Sequence, residues 1–269
     1  MKSFKDKVAV VTGAGSGIGR HLSLQLTQAG TRVAMSDVNE LGLAETLKMM
    51  PPGANAKCYR VDVSSKEQVF AHAEDVKRDF GTAHYIFNNA GVTLAGTIAQ
   101  VTIEEIEWQL GINLWGVIYG TKAFLPMLLA QREGHIVNIS SLFGLVACAT
   151  QGPYNVSKFG VRGWTECLWQ ELEGTGVSAT SVHPGGIKTE IAHMARMSVN
   201  ADQTVVNNMK SADKSLLTPA ADMARAILDG VARDKKRIIY GHGAKMLNWF
   251  QRLMPVYYGT LMARARERR

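Results

Sequence analysis

Short apolar runs rich in β-branched residues alternate along this chain with longer stretches whose apolar positions recur every three to four residues. The first kind of run reads as buried strand and the second as amphipathic helix. "KVAVVTG" (7–13), "TRVAMSD" (31–37), "AKCYRVDV" (56–63), "AHYIFNNAG" (83–91), "GHIVNISS" (134–141), "GVSATSVHPGG" (176–186) and "KRIIYG" (236–241) predict seven strands. Between them, helices are expected over 17–30, to about Met50, over 65–81, over about 103–131 and from the "YNVSK" segment to about Glu173. Strands separated by helices imply parallel pairing and right-handed crossovers, hence an α/β fold with a doubly wound, Rossmann-type parallel sheet. No Pro/Gly/Ser-rich linker interrupts the rhythm, so residues 1–269 are expected to form a single domain. Residues 188–216 are polar, Met-rich and weakly patterned. An excursion there, past strand carboxyl ends, fits a substrate-covering lid or a simple surface loop.

Composition narrows the class. Of 269 residues, 46% are hydrophobic and 20% charged, the balance of a water-soluble globular protein. Three scattered cysteines (Cys58, Cys148, Cys167) argue against a disulfide framework and a zinc site, and no metal is expected. The run after the charged N-terminus is too short for a signal peptide. The most membrane-like segment, "LGINLWGVIYGTKAFLPMLLA", holds Asn113, Lys122 and Pro126 and is expected to be a buried helix. A cytoplasmic location is therefore expected. The net charge of +7 gathers in "RDKKR" (233–237) and the closing "ARARERR". No nucleic-acid motif accompanies it. The C-terminal extension, 243–269, mixes aromatics, Met and Leu with arginine. That suits a helix lying on a membrane, although Pro255 interrupts it and subunit packing would account for the same residues.

Two clusters carry chemistry. "TGAGSGIG" (12–19) sits at the first strand–helix turn, where Gly13 permits a tight turn and Gly17 and Gly19 let a pyrophosphate approach the backbone. The helix beginning at Ser16, Gly17 and Ile18 offers free N–H donors and a partial positive charge. Asp37, eighteen residues beyond Gly19, can accept both ribose hydroxyls of NAD and would repel a 2′-phosphate. It could also cap the next helix, and the two roles can coexist. In the second cluster, Tyr154 and Lys158 lie one helical turn apart on the same face.

With "NNAG" (88–91), Asn113 and "ISS" (139–141) added, the chain resembles a short-chain dehydrogenase/reductase of the single-domain, NAD-preferring kind over about residues 5–240. The resemblance implies a catalytic tetrad of Asn113, Ser141, Tyr154 and Lys158. It implies that Asp62 and Val63 hold the adenine ring and that Asn89, Ala90 and Gly91 line the adenosine site. It further implies that Pro184, Ile187 and Thr189 meet the nicotinamide end, that Lys158 grips the ribose, that Asn113 holds a water, and that the chain forms a homotetramer or homodimer.

The expected chemistry is hydride exchange between NAD(H) and an alcohol or ketone. Tyr154 is the general acid/base, with its proton loosened by the cations of Lys158 and oxidised nicotinamide. Residues near the expected pocket (Leu142, Phe143, Val146, Ala147, Ala149, Gln151, Gly186, Met194) are mostly apolar and favour a hydrophobic secondary alcohol or ketone. The alternative is a non-catalytic, dinucleotide-binding redox sensor, which has no need of a complete Ser–Tyr–Lys set.

Overall fold

A computed structural model describes residues 2–213 and 216–260. In chain order the first half comprises β1 (Val8–Thr12), α1 (Gly17–Gln28), β2 (Arg32–Asp37), α2 (Glu40–Lys48), β3 (Ala56–Arg60), α3 (Lys66–Phe80), β4 (Tyr85–Asn88), β5 (Leu94–Ala95), α4 (Ile103–Leu110) and α5 (Gly116–Gln131). The second half comprises β6 (Gly134–Ile139), α6 (Gly152–Glu171), β7 (Val177–Gly185), β8 (Ile187–Lys188), α7 (Glu190–His193), β9 (Arg196–Met197), α8 (Gln203–Asp213), β10 (Thr218–Pro219), α9 (Ala220–Ala232), β11 (Arg237–Gly241) and α10 (Ala244–Leu253).

The expected seven strands form one parallel sheet in the order β11-β7-β6-β4-β1-β2-β3. The winding reverses between β1 and β4, and Val10 stands opposite Ala34 on one side and Ile86 on the other. Strand periodicity sorts the core. Ala9, Val11, Val33, Met35, Phe87 and Val137 pack with Leu22 and Leu26 of α1 and Met223 and Ile227 of α9. Their neighbours Val8, Val10, Ala34, Ile86 and Ile136 pack on the other face with Val76 of α3, Phe124 of α5 and Leu168 of α6. Each such side chain contributes about 1.5–3 kcal/mol of burial.

Three expectations need correction. Several predicted strands overrun: Val61–Val63, Asn89–Gly91 and Ser140–Ser141 are loop residues just past strand ends. Their apolar or small character reflects close packing at the sheet edge. The membrane-like segment belongs to a continuous helix, Ile103–Gln131, that is only partly buried. Its inner residues Val117, Phe124 and Leu128 enter the core while Trp115, Lys122 and Leu129 face outward. Finally, α9 is a helix that the pattern reading passes over. Residues 188–213 carry β8, α7, β9 and α8, joined by short irregular stretches. The remainder of the expected lid, 214–215, and the end of the basic tail, 261–269, lie outside the described residues.

Three histidines are sealed in this core. His72 lies between Tyr59 and Phe124, with ring centroids 4.7 and 6.1 Å away, and neither ring nitrogen has a hydrogen-bond partner. Burial pushes His72 down to about 4, His135 to about 3 and His183 to about 4. All three are neutral in the fold, whereas in the unfolded chain they titrate near 6.5. Folded values below unfolded ones mean that this stability is complete above about pH 6.5 and drains as the pH falls toward about 4. The urea midpoint is expected to hold steady above about pH 7 and then fall, each histidine contributing at most about 1.4 kcal/mol per pH unit. His72→Phe, which forfeits no hydrogen bond, is expected to flatten that slope by about a third. An unchanged slope in the variant would refute the assignment.

Candidate functional site

Parallel strands bring their carboxyl ends to one edge, and the sequence-predicted residues gather there. At the reversal point, Thr12 ends β1 and accepts the backbone N–H groups of Asn89 (2.9 Å) and Ala90 (3.0 Å) through Oγ1. The Asn89 side chain returns a hydrogen bond to the Thr12 carbonyl at 2.9 Å. The glycine loop packs directly against this joint. Gly13 has a φ of 66°, and a Cβ there would stand 2.9 Å from the Ala90 Cα. A Cβ on Gly19 would stand 2.1 Å from the Gly13 carbonyl oxygen, a clash no relaxation of a side chain can relieve.

Helix α1 then begins at Gly17 with Ser16 as its N-cap, and the Ser16 side chain makes no capping hydrogen bond. The next three helices are capped by Asn39, Ser65 and Thr102. The first-turn N–H groups of α1 are thus left to an external acceptor, beside a backbone stripped of side chains. This cradle fits the diphosphate of a dinucleotide. Two residues overlooked in the sequence brace it from behind. Arg20 donates to the Gly15 carbonyl (2.5 Å) and to Glu45 (2.8 Å), and Thr46 donates to the Ala14 carbonyl (2.9 Å).

Asp37 ends β2 and accepts the Gly15 N–H at 2.9 Å through Oδ2 and the Asn39 N–H at 3.0 Å through Oδ1. It does not cap α2. Asn39 does, accepting from the Gly42 N–H at 3.1 Å. Asp37 remains partly exposed, with spare lone pairs at the loop. Asp62 holds Ser64 through its backbone N–H (2.9 Å) and hydroxyl (2.7 Å), and Val63 is buried beside Val61 and Val69. At the far side, Pro184 is the penultimate residue of β7, Ile187 is buried, and Thr189 lies 3.3 Å from where a Cβ on Gly17 would sit.

The tetrad also converges. Ser141, just past β6, caps the short turn Leu142–Gly144 by accepting the Phe143 N–H at 3.1 Å. Its hydroxyl lies beside the Tyr154 hydroxyl and favours the phenol's charged form. Lys158, one turn along α6, is buried with its ammonium 3.0 Å from the Ile139 carbonyl and 5.6 Å from the Tyr154 ring centroid. Asn113 occupies a π-helical segment, Gly111–Trp115, between α4 and α5. Such widened turns recur at functional sites. Its amide is used on the chain itself: Oδ1 accepts the Val92 N–H (2.8 Å), and Nδ2 donates to the Val92 carbonyl (2.8 Å) and to Ser157 (3.3 Å). A Cβ on Gly91 would lie 3.2 Å from Asn113 Oδ1 and 3.4 Å from Lys158 Nζ, so the two side chains meet over this glycine.

Electrostatics differ from expectation. Burial pushes the Tyr154 phenol up, and the Ser141 hydrogen bond only partly offsets this. Burial pushes the Lys158 ammonium down to about 8. Both side chains are desolvated, and burial disfavours the charged form of each.

Behind Ser141 stands His183, also missed in the sequence. It is neutral, and its Nδ1–H donates to the Ser141 carbonyl at 2.9 Å while the Ser181 hydroxyl donates to Nε2 at 2.9 Å. The expected pocket wall divides. Phe143 stands edge-on to Tyr154, with centroids 6.2 Å apart. Ala147 and Ala149 are exposed, and Gln151 is buried and bonded to Thr93 (2.9 Å) and Met209 (3.5 Å). Leu142 and Val146 turn away, into a cluster with Ala244, Leu247 and Tyr258 of the C-terminal segment. Met194 points outward, 77% exposed. The 188–216 excursion is tied down midway, where β9 pairs with β5 and Glu105 accepts the Val199 N–H at 2.9 Å. Among the described residues, no group of three or more His, Cys, Asp or Glu could hold a metal.

Comparisons with known proteins agree with this geometry. The short chain dehydrogenase family matches residues 7–200. The chain is 44% identical over 267 residues to the oxidoreductase SadH of Mycobacterium tuberculosis, covering 98% of this chain and 96% of that one. A short-chain dehydrogenase/reductase from Burkholderia phymatum, solved in complex with NAD, is similar in structure with a TM-score of 0.84. It is 32% identical and covers 88% of this chain and 90% of its own. A metagenomic short-chain oxidoreductase solved with NADP has a TM-score of 0.69 and 27% identity, covering 86% and 92%.

The Thr12 joint can be tested directly. Thr12→Val is expected to strand two backbone N–H groups and to destabilise the fold by about 2–4 kcal/mol in urea titration. A loss below about 0.5 kcal/mol, within the range of an ordinary substitution, would show that the joint is dispensable.

Proposed function

The chain belongs to the short-chain dehydrogenase family and is an oxidoreductase of it, and we propose that it exchanges hydride between NAD(H) and a hydrophobic secondary alcohol or the matching ketone. One observation carries the reading. Tyr154 stands beside Ser141 while Lys158 lies buried one turn behind, all at the sheet edge that also bears the glycine cradle.

A bound dinucleotide would accept or deliver the hydride and, when oxidised, add positive charge to the pocket. The chain's own groups handle the proton. Ser141 can hold the substrate oxygen with the hydroxyl that lies beside Tyr154. Tyr154 takes the alcohol proton in oxidation and returns it in reduction. Lys158, poised near 8 by burial, is still mostly charged at neutral pH and offers an ammonium to the phenolate once it forms. Asn113 fixes the Val92 backbone beside Lys158 through its side chain, a bracing role distinct from holding a water. The apolar residues around Ser141, half-buried Phe143 and exposed Ala147 and Ala149, support a hydrophobic substrate.

Asp37 supports NAD over NADP, since its partly exposed carboxylate opposes a 2′-phosphate. Assembly as a homotetramer or homodimer is supported by exposed apolar side chains on adjoining helices: Trp115 and Leu129, and Val156 and Phe159 of α6. Three cysteines in 269 residues, with no C-x-x-C pair, suit a reducing cytoplasm.

With a panel of apolar ketones, NADH oxidation is expected, and Tyr154→Phe is expected to lower kcat by about 10²–10⁴-fold while leaving NADH binding intact. Turnover that survives this substitution would overturn the acid/base role. Asp37→Ser is expected to raise kcat/KM with NADPH by roughly tenfold, by removing a like charge. A wild-type enzyme already faster with NADPH would reverse the cofactor assignment.

A further inference from the structure

The C-terminal segment is bolted to the body by one face and bare on the other. Helix α10 buries Ala244 and packs Leu247 against Leu142, Val146, Phe143 and Ile239. Tyr258 completes this seat, its hydroxyl accepting the Ala147 N–H at 2.9 Å. Away from it, Met246, Trp249 and Leu253 recur at helical spacing and are 69%, 63% and 72% exposed. The chain beyond adds exposed Met254, Val256 and Tyr257.

Positive charge frames this stripe. Lys245 and Arg252 are exposed on α10 itself. Beside it runs a groove of about 440 Å³ between α9, β11 and α10, where Arg233, Lys235 and Lys245 meet a single acid of the lining, Asp229, while Arg237 is paired with Glu166 and Trp249 stands at the wall. The sequence that follows, 261–269, holds four arginines and one glutamate. Apolar side chains with Trp and Tyr among them, rimmed by Lys and Arg, match the boundary of a bilayer with acidic headgroups. A second copy of the chain fits less well. A two-fold axis through this face would set Lys245, Arg252 and the basic groove against their own counterparts.

We propose that α10 and the adjoining basic groove form a docking surface for an anionic phospholipid bilayer, on which the protein rests without spanning it. The proposal is independent of the hydride chemistry and is tested without it. Full-length protein is sedimented with vesicles of phosphatidylcholine alone or of phosphatidylcholine with phosphatidylglycerol, at low and high salt. Binding is expected only to the anionic vesicles and is expected to be lost at high salt. Trp249→Glu/Leu253→Glu is expected to weaken binding by tenfold or more. Lys245→Glu/Arg252→Glu is expected to weaken it by at least about 25-fold, roughly fivefold for each charge removed. Thermal melting and light scattering check that both variants keep the fold and the oligomeric state. Wild-type protein that stays in the supernatant with anionic vesicles, or that binds both compositions equally, would overturn the proposal. So would a wild-type oligomer that dissociates in Trp249→Glu/Leu253→Glu, since the face would then belong to a second copy.

Discussion

Seven strands that all run the same way must all finish at the same edge, and this constraint organises the rest of the molecule. Each crossover helix carries the chain back to the opposite edge, so the loops leaving the carboxyl ends collect residues far apart in sequence. Thr12, Asp37, Asn89, Ser141 and Pro184 come from five different strand ends or the residues just past them. The reversal between β1 and β4 opens the space into which the glycine cradle faces. Helix α6 starts beside that edge, which is why Tyr154 and Lys158, in its first turns, reach it.

Within the site, desolvation sets the terms. A phenol and an ammonium are both enclosed, and both are driven toward neutrality. At neutral pH the protein alone therefore holds a neutral phenol beside an ammonium that burial has weakened but not discharged. What it provides is rigidity. Ser141 is fixed from one side by His183 and from the other by its turn, and Asn113 locks the loop after β4. Pre-set geometry of this kind lowers the cost of bringing reacting groups together.

Much of this was legible in the sequence, because the signals were local. The glycine pattern, the acid at the end of β2 and the Tyr–Lys spacing each span a few residues, and each sits where the strand and helix rhythm puts it. The failures share a different cause. Asp37 and Asn39 are both good caps by type, and only the path of the turn decides between them. Leu142 and Val146 read as pocket lining because nothing local reveals that α10 folds back over them. Thr12, Arg20 and His183 act through partners 77, 25 and 42 residues away, so no short window contains their function. The burial of Tyr154 escaped notice for a related reason: spacing shows a neighbouring charge but not the desolvation of both groups.

The Tyr258–Ala147 contact carries a practical consequence. It ties the last described turn of the chain to the loop that begins at Ser141, so the two segments share one mechanical load. A fusion joined directly after Tyr258 would therefore load the loop at Ala147, whereas one placed before Lys2 attaches at the opposite end of the sheet, near His135. Enzymology on this protein is best begun with the label at the front.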